Sequence, residues 1–153
     1  MELSDNMIIC EANAFPRQLM QPFYLDYVGV VVCHQGMFHF RADGASFVVS
    51  AGETVFLSKG VMFQVTDTTQ ELRFTLLFYR TEQIVDMLGN TVVTMRLYST
   101  IYPSACYVMH TGYEEMLSDY AKMLSRIEGK GDTDIYSSHE HKLLLMAVTY
   151  RLC

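Results

Sequence analysis

The sequence predicts a mainly β fold, an antiparallel barrel of short strands followed by two C-terminal α-helices. Two observations carry this. From residue 7 to about 80 short apolar runs alternate with glycine-bearing turns, and beyond residue 110 the apolar spacing becomes helical. Half of the 153 residues are hydrophobic, enough to build one core without metal or disulfide staples.

The expected strands are 7–12, 26–34, 37–42, 46–50, 54–58, 61–66 and 72–80, separated by turns at Gln35-Gly36, Asp43-Gly44, Ala51-Gly52-Glu53 and Lys59-Gly60. Within them Phe63 and Val65 share one face, as do Phe74, Leu76 and Phe78, while Gln64, Arg73 and Thr75 point the other way. The first set is expected inside the barrel. Tyr27 to Cys33 is apolar on both faces, which predicts a central strand covered from two sides.

After Arg80, residues 81–88 read as a short helix capped by Thr81 and stopped by Gly89, and 91–110 as mixed strand and loop. Two capping patterns, Thr111 with Glu114 and Ser137 with Glu140, then open helices expected to run to about Glu128 and to Cys153. In the first, Tyr113, Met116, Leu117, Tyr120, Leu124 and Ile127 form an apolar stripe opposite Asp119, Lys122 and Arg126. The second has a wider apolar surface and no stop signal at Leu152-Cys153, so the chain is expected to continue in a longer parent protein.

Eleven basic against 17 acidic residues give a net charge of −6, which does not supply the phosphate-neutralising surface of a DNA-binding unit. The cysteines, Cys10, Cys33, Cys106 and Cys153, are scattered and fit reduced thiols. The N-terminus lacks the basic start and apolar run of a signal peptide, and no apolar run is long enough to span a bilayer. A cytoplasmic location is the expectation.

The stretch from Gly36 to Arg41, with the segment from Gly52 to Phe63, resembles the barrel of arabinose-regulator-type (AraC/XylS) transcription regulators, where a glycine-led strand pair precedes a Gly-acidic-x-apolar segment. The resemblance implies a bacterial, cytoplasmic, homodimeric regulator. Its cupin-like sensory barrel with an N-terminal arm would occupy residues 1–110. A helical dimerisation segment would occupy 111–153, and a helix-turn-helix unit beyond residue 153 would read DNA.

Metal-holding cupins place a His-x-His pair where this chain has Phe38-His39-Phe40, and a later His where it has Phe63. With His39 alone, and His34 one strand back, no metal and no cofactor is expected, and the chain is read as no enzyme. The alternative is a small metal-dependent cupin enzyme, an isomerase or dioxygenase. His139 and His141 stand about 200° apart on a helix and cannot readily share an ion.

The interior positions expected to face a ligand are Cys33, Phe63, Val65, Phe74 and Leu76, with Arg17, Tyr24, Arg41 and Arg73 as polar rim candidates. Such a lining suits a small apolar or aromatic effector, or a barrel filled by its own side chains. Tyr120, Leu124, Leu144 and Ala147 are the residues expected to bury against the barrel or a second subunit.

Overall fold

The computed structural model describes residues 7–80, 106–110, 112–129 and 135–152. The strands are β1 (Met7–Ala12), β2 (Phe23–Tyr24), β3 (Val28–Gln35), β4 (Met37–Ala42), β5 (Ala45–Ser50), β6 (Thr54–Leu57), β7 (Met62–Thr68), β8 (Arg73–Tyr79) and β9 (Cys106–Met109). One 3-10 turn, Arg17–Met20, lies between β1 and β2, and helices α1 (Glu114–Gly129) and α2 (Ile135–Leu152) follow β9. The helix expected at 81–88, the Thr111 cap and most of the break after Gly129 lie outside the described residues. The second helix starts at Ile135, two residues before the expected Ser137, so Ser137 and Ser138 lie inside its first turn and not at its cap.

The strands form two sheets, β1-β8-β3-β6-β9 and β2-β7-β4-β5, with every pairing antiparallel. They face each other as a cupin-like sandwich whose hydrogen-bond ladder, among the described residues, does not close into a ring. Hairpins set this pairing. The two-residue turn Asp43-Gly44 joins β4 to β5 with φ of 49° and 85°, the left-handed pair that matches strand twist. Asp43 also locks the turn to β7 by accepting the Met62 amide proton at 2.9 Å through Oδ1.

Alternation sorts the apolar side chains into two cores. Phe38, Phe40, Phe63, Val65, Phe74, Leu76 and Phe78 meet Val31, Cys33, Val55 and Leu57 between the sheets, as the period-two pattern predicts. Phe15, from the segment after β1, stacks on Phe74 at 4.1 Å between ring centroids and meets Phe38 edge-on at 5.0 Å. The second core lies outside the five-stranded sheet, where Val28, Val30, Val32, Phe56, Leu77 and Tyr79 pack against Leu117 and Leu124 of α1 and Leu145, Met146 and Val148 of α2. β3 is therefore covered on both faces, and α1 and α2 supply its outer cover.

Gly29, the second residue of β3, lies tightly against β8: a β-carbon there would meet Leu77 O at 2.5 Å and Phe78 Cα at 2.9 Å. We expect Gly29→Ala to destabilise the fold by at least ~1–3 kcal/mol, the usual cost of overpacking. Phe74→Ala should cost about 3–5 kcal/mol by opening a cavity under Phe15. Urea unfolding monitored by circular dichroism measures both, and values near zero would contradict the packing described here.

Candidate functional site

Packing of α1 against the five-stranded sheet is apolar at one end and polar at the other. The polar end begins at an irregularity in β3. Between Cys33, which pairs with Phe74, and Gln35, which pairs with Arg73, the register slips and His34 is left without a ladder partner. Such bulges re-aim side chains. The His34 imidazole contacts Thr75 Oγ1 through Nε2 at 2.7 Å, and Ser118 Oγ of α1 lies 3.1 Å from the same nitrogen. Ser118 also donates to Thr75 Oγ1 at 3.3 Å, closing a three-membered polar cluster.

Thr75 and Ser118 are 4% and 6% exposed, so this cluster satisfies polar groups that burial would otherwise leave costly. Removal from water lowers the His34 pKa, and Arg73 and Lys122 push it the same way while Glu11 opposes them. His34 is thus held toward its neutral form, sharing hydrogen bonds with two hydroxyls.

Beside this cluster the sheet and α1 diverge to leave a cleft of about 270 Å³. Ile9 and Glu11 of β1 and Thr75 of β8 form one wall. Ala121, Lys122, Ser125 and Arg126 of α1 form the other. Glu11 sits between two cations, 3.7 Å from Arg73 and 4.0 Å from Lys122.

Of the residues expected to line an internal ligand pocket, Cys33, Phe63, Val65, Phe74 and Leu76 do come together, and each is buried among the others in the inner core. The Cys33 thiol donates weakly to the Gln35 and Gly36 carbonyls at 3.6 Å, and burial raises its pKa. Cys106 is pushed up to about 12 by burial. Both are free cysteines held as thiols.

The four rim candidates are not gathered at one mouth. Tyr24 and Arg41 pair with Met62 and Gln64 on the outer side of the four-stranded sheet, and Arg17 is exposed on the 3-10 turn. Arg73 points outward from the other sheet, toward Glu11. One surface thus cannot contain all four.

His39 also faces outward from the four-stranded sheet, half-buried between Phe38 and Phe40, which point in. Among the described residues no three histidine, cysteine or acidic side chains converge in a metal-holding group. No helix among the described residues is long and apolar enough to cross a membrane.

On the helices, Leu124 is 0% exposed, buried in the core that the five-stranded sheet shares with both helices. Tyr120 and Leu144 lie half-buried at the margin of the same core, and Ala147 is half-buried. The sequence pattern did not single out Tyr113, Met116, Met123 and Leu143 as uncovered, yet these are the large apolar side chains that the helices leave exposed.

No family model and no curated protein matches this sequence. Solved structures share its fold. The AraC-like transcriptional activator CuxR superposes with a TM-score of 0.53 at 15% identity, over 95% of this chain and 52% of that one. ToxT from Vibrio cholerae superposes with a TM-score of 0.55 at 10% identity, over 92% of this chain and 53% of its own, and an apo form of ToxT gives 0.54 at 10% identity. The chain spans about half the length of these regulators.

Because burial depresses the His34 pKa, the unfolded chain binds that proton more readily than the folded one. The contribution of neutral His34 is fully present above the ordinary imidazole value of about 6.5 and is lost as pH falls below it. Thermal unfolding between pH 7.5 and 5 should show stability falling with pH, and His34→Gln, which keeps a hydrogen-bonding group but cannot titrate there, should flatten that dependence. Equal slopes for the two proteins would remove His34 from the linkage.

Proposed function

We propose that this chain is the regulatory, self-associating part of a bacterial, cytoplasmic transcription regulator of the AraC type and not an enzyme. What carries this reading is the fold, shared over nearly the whole chain with AraC-like activators of which it spans about half. In this reading residues 1–110 form the sensory barrel, 111–153 pair two subunits, and DNA is bound by a helix-turn-helix unit beyond residue 153. The acidic balance of 17 acidic to 11 basic residues agrees with leaving DNA to another unit.

The dense aromatic packing between the sheets supports the version in which the barrel is filled by its own side chains. A conformational signal then has to travel through the packing of helices on the outer sheet face. For pairing, Tyr113 just before α1 and Met116, Tyr120, Met123 and Ile127 within it are spaced three and four residues apart as in a helix-helix seam. The first, second and fourth of these are exposed, and Tyr120 and Ile127 are half-buried. They lie beside Leu117, Ala121 and Leu124, which the sheet consumes.

Sedimentation velocity should therefore find a dimer, and Met116→Glu with Met123→Glu should weaken it by at least about tenfold, or about 1.4 kcal/mol. Both positions are exposed, so the circular dichroism spectrum should not change. Leu124→Ala is the contrast. It should lower stability by about 2–5 kcal/mol as a core truncation. A strict monomer at high concentration would refute the dimer.

A further inference from the structure

We infer that the free edge of β5 pairs with β5 of a second copy of this chain, antiparallel about a two-fold axis at Phe47, so that two four-stranded sheets join into one. The pairing rests neither on the regulatory reading nor on the contact offered by α1.

β5 is the outermost strand of its sheet and, among the described residues, is laddered to β4 alone. In an antiparallel ladder successive residues turn their backbone groups alternately toward the neighbouring strand and away from it. The two-residue turn at Asp43-Gly44 sets the phase: Ala45, Phe47 and Val49 bond across to Ala42, Phe40 and Phe38, while Ser46, Val48 and Ser50 point outward. Ser50 obeys this phase, because its N–H donates to Glu53 Oε2 at 2.7 Å and its carbonyl accepts the Glu53 N–H at 3.0 Å. Glu53 thus closes that end of the edge. Ser46 and Val48 keep an N–H and a C=O each without a partner among the described residues. Both are exposed, Val48 to 45%.

Nothing on the strand guards this edge. The stretch Ala45–Ser50 holds no charge and no proline, and its ladder with β4 runs without a bulge, whereas exposed edges are ordinarily kept apart by such devices. β2, at the opposite edge of the same sheet, has only two residues.

The symmetry of the pattern selects a second copy as the occupant. An axis at Phe47 sets Ser46 opposite the partner's Val48 and Val48 opposite the partner's Ser46. Both become hydrogen-bonded pairs, which use all the free donors and acceptors of these residues. Phe47 then meets the partner's Phe47 at the closer, non-hydrogen-bonded position. Its ring is half-buried and stacked on Phe40 at 5.1 Å, which leaves the flank away from β4 for the partner's ring. A strand longer than β5 gains no bond beyond Val48, where Glu53 has taken the next amide.

Charge does not oppose the contact. The chain carries −6 overall, but the ionisable residues of β4 that border β5 are His39 and Arg41, beside Val48 and Ser46. The two copies of Arg41 stand three strand spacings apart, roughly 14 Å, beyond the screening length of about 8 Å. Asp43 spends its carboxylate on the Met62 amide. Because β5 and α1 lie on different sheets, two-fold contacts at both cannot close within one pair and link dimers into larger assemblies. That consequence, unlike the pairing, needs the α1 dimer.

Sedimentation velocity of the whole chain carrying Met116→Glu with Met123→Glu isolates the edge. We expect a concentration-dependent dimer to persist in it, and Val48→Lys to weaken that dimer at least about tenfold, about 1.4 kcal/mol. Ser46→Pro, which removes an outward donor and no bond to β4, should do the same, and Val48→Lys decides if the proline variant does not fold. Thr66→Lys, exposed on β7 away from the edge, should change nothing. Amide hydrogen exchange read by NMR should show Ser46 and Val48 becoming protected as concentration rises, with Phe47 and Val49 protected throughout.

A strict monomer at millimolar concentration in the helix variant overturns the inference and leaves the α1 dimer standing. Association indifferent to Val48→Lys overturns it as well, and so does protection of the Ser46 and Val48 amides that does not vary with concentration, since they are then covered within one chain. A wild-type chain that associates through β5 alone upholds the edge and removes the α1 dimer.

Discussion

Everything in this molecule depends on β3 having no solvent face. Val31 and Cys33 point between the sheets, while Val28, Val30 and Val32 point outward. A strand with valines on both sides cannot sit at the surface of a sandwich, because each buried valine is worth about 1.5 kcal/mol or more relative to exposure. α1 and α2 are thus an obligatory third layer of the fold. Barrel and helical segment share a core, although their local periodicities differ. Gly29 belongs to the same constraint, since only a residue without a β-carbon lets β3 and β8 come together under that layer.

The helix layer does not stay apolar along its whole length. Moving along β1 and β8, Ile9 and Leu77 give way to Glu11 and Thr75, and on α1 the neighbours of Leu117 and Leu124 are Ser118 and Ser125. Two consequences follow. The seam's polar end must satisfy its own hydrogen bonds, which His34, Thr75 and Ser118 do for one another. It also packs less tightly, because charged side chains reach for water instead of interdigitating, and the cleft opens there. A polar cluster in a low-dielectric seam fixes position more than it adds stability, since its groups gain little over water but lose much if separated.

Period-two alternation made the strands legible almost residue by residue, and the two-sided apolar run correctly marked β3 as central. What escaped was short or non-local. β2 has two residues and β9 four, too few to display a period. The site escaped for a different reason. His34 meets Thr75 across 41 residues and Ser118 across 84, and no spacing rule reaches that far. His34 was legible only as a lone imidazole beside Cys33, because the bulge that aims it depends on the register between strands. On the helices the stripe was right in composition. It did not separate Leu124, which the sheet takes, from Met116 and Met123, which it leaves, because a helical period gives a direction but not the width of the surface that covers it.

The space between the sheets is densely packed, and α1 meets three different surroundings. At 100° per residue this helix has three working flanks. One, with Leu117, Ala121 and Leu124, is fixed to the sheet. A second, with Lys122, Ser125 and Arg126, borders the cleft, and a third carries the exposed Met116 and Met123. A rigid element held on one flank can relay a displacement from the second to the third only by rocking on the first. The apolar contacts to Val28, Val30 and Val32 allow such rocking, being non-directional, while the Ser118 hydrogen bonds resist it. The outer sheet face, and not the space between the sheets, is therefore where a helix can shift without unpacking the inner core.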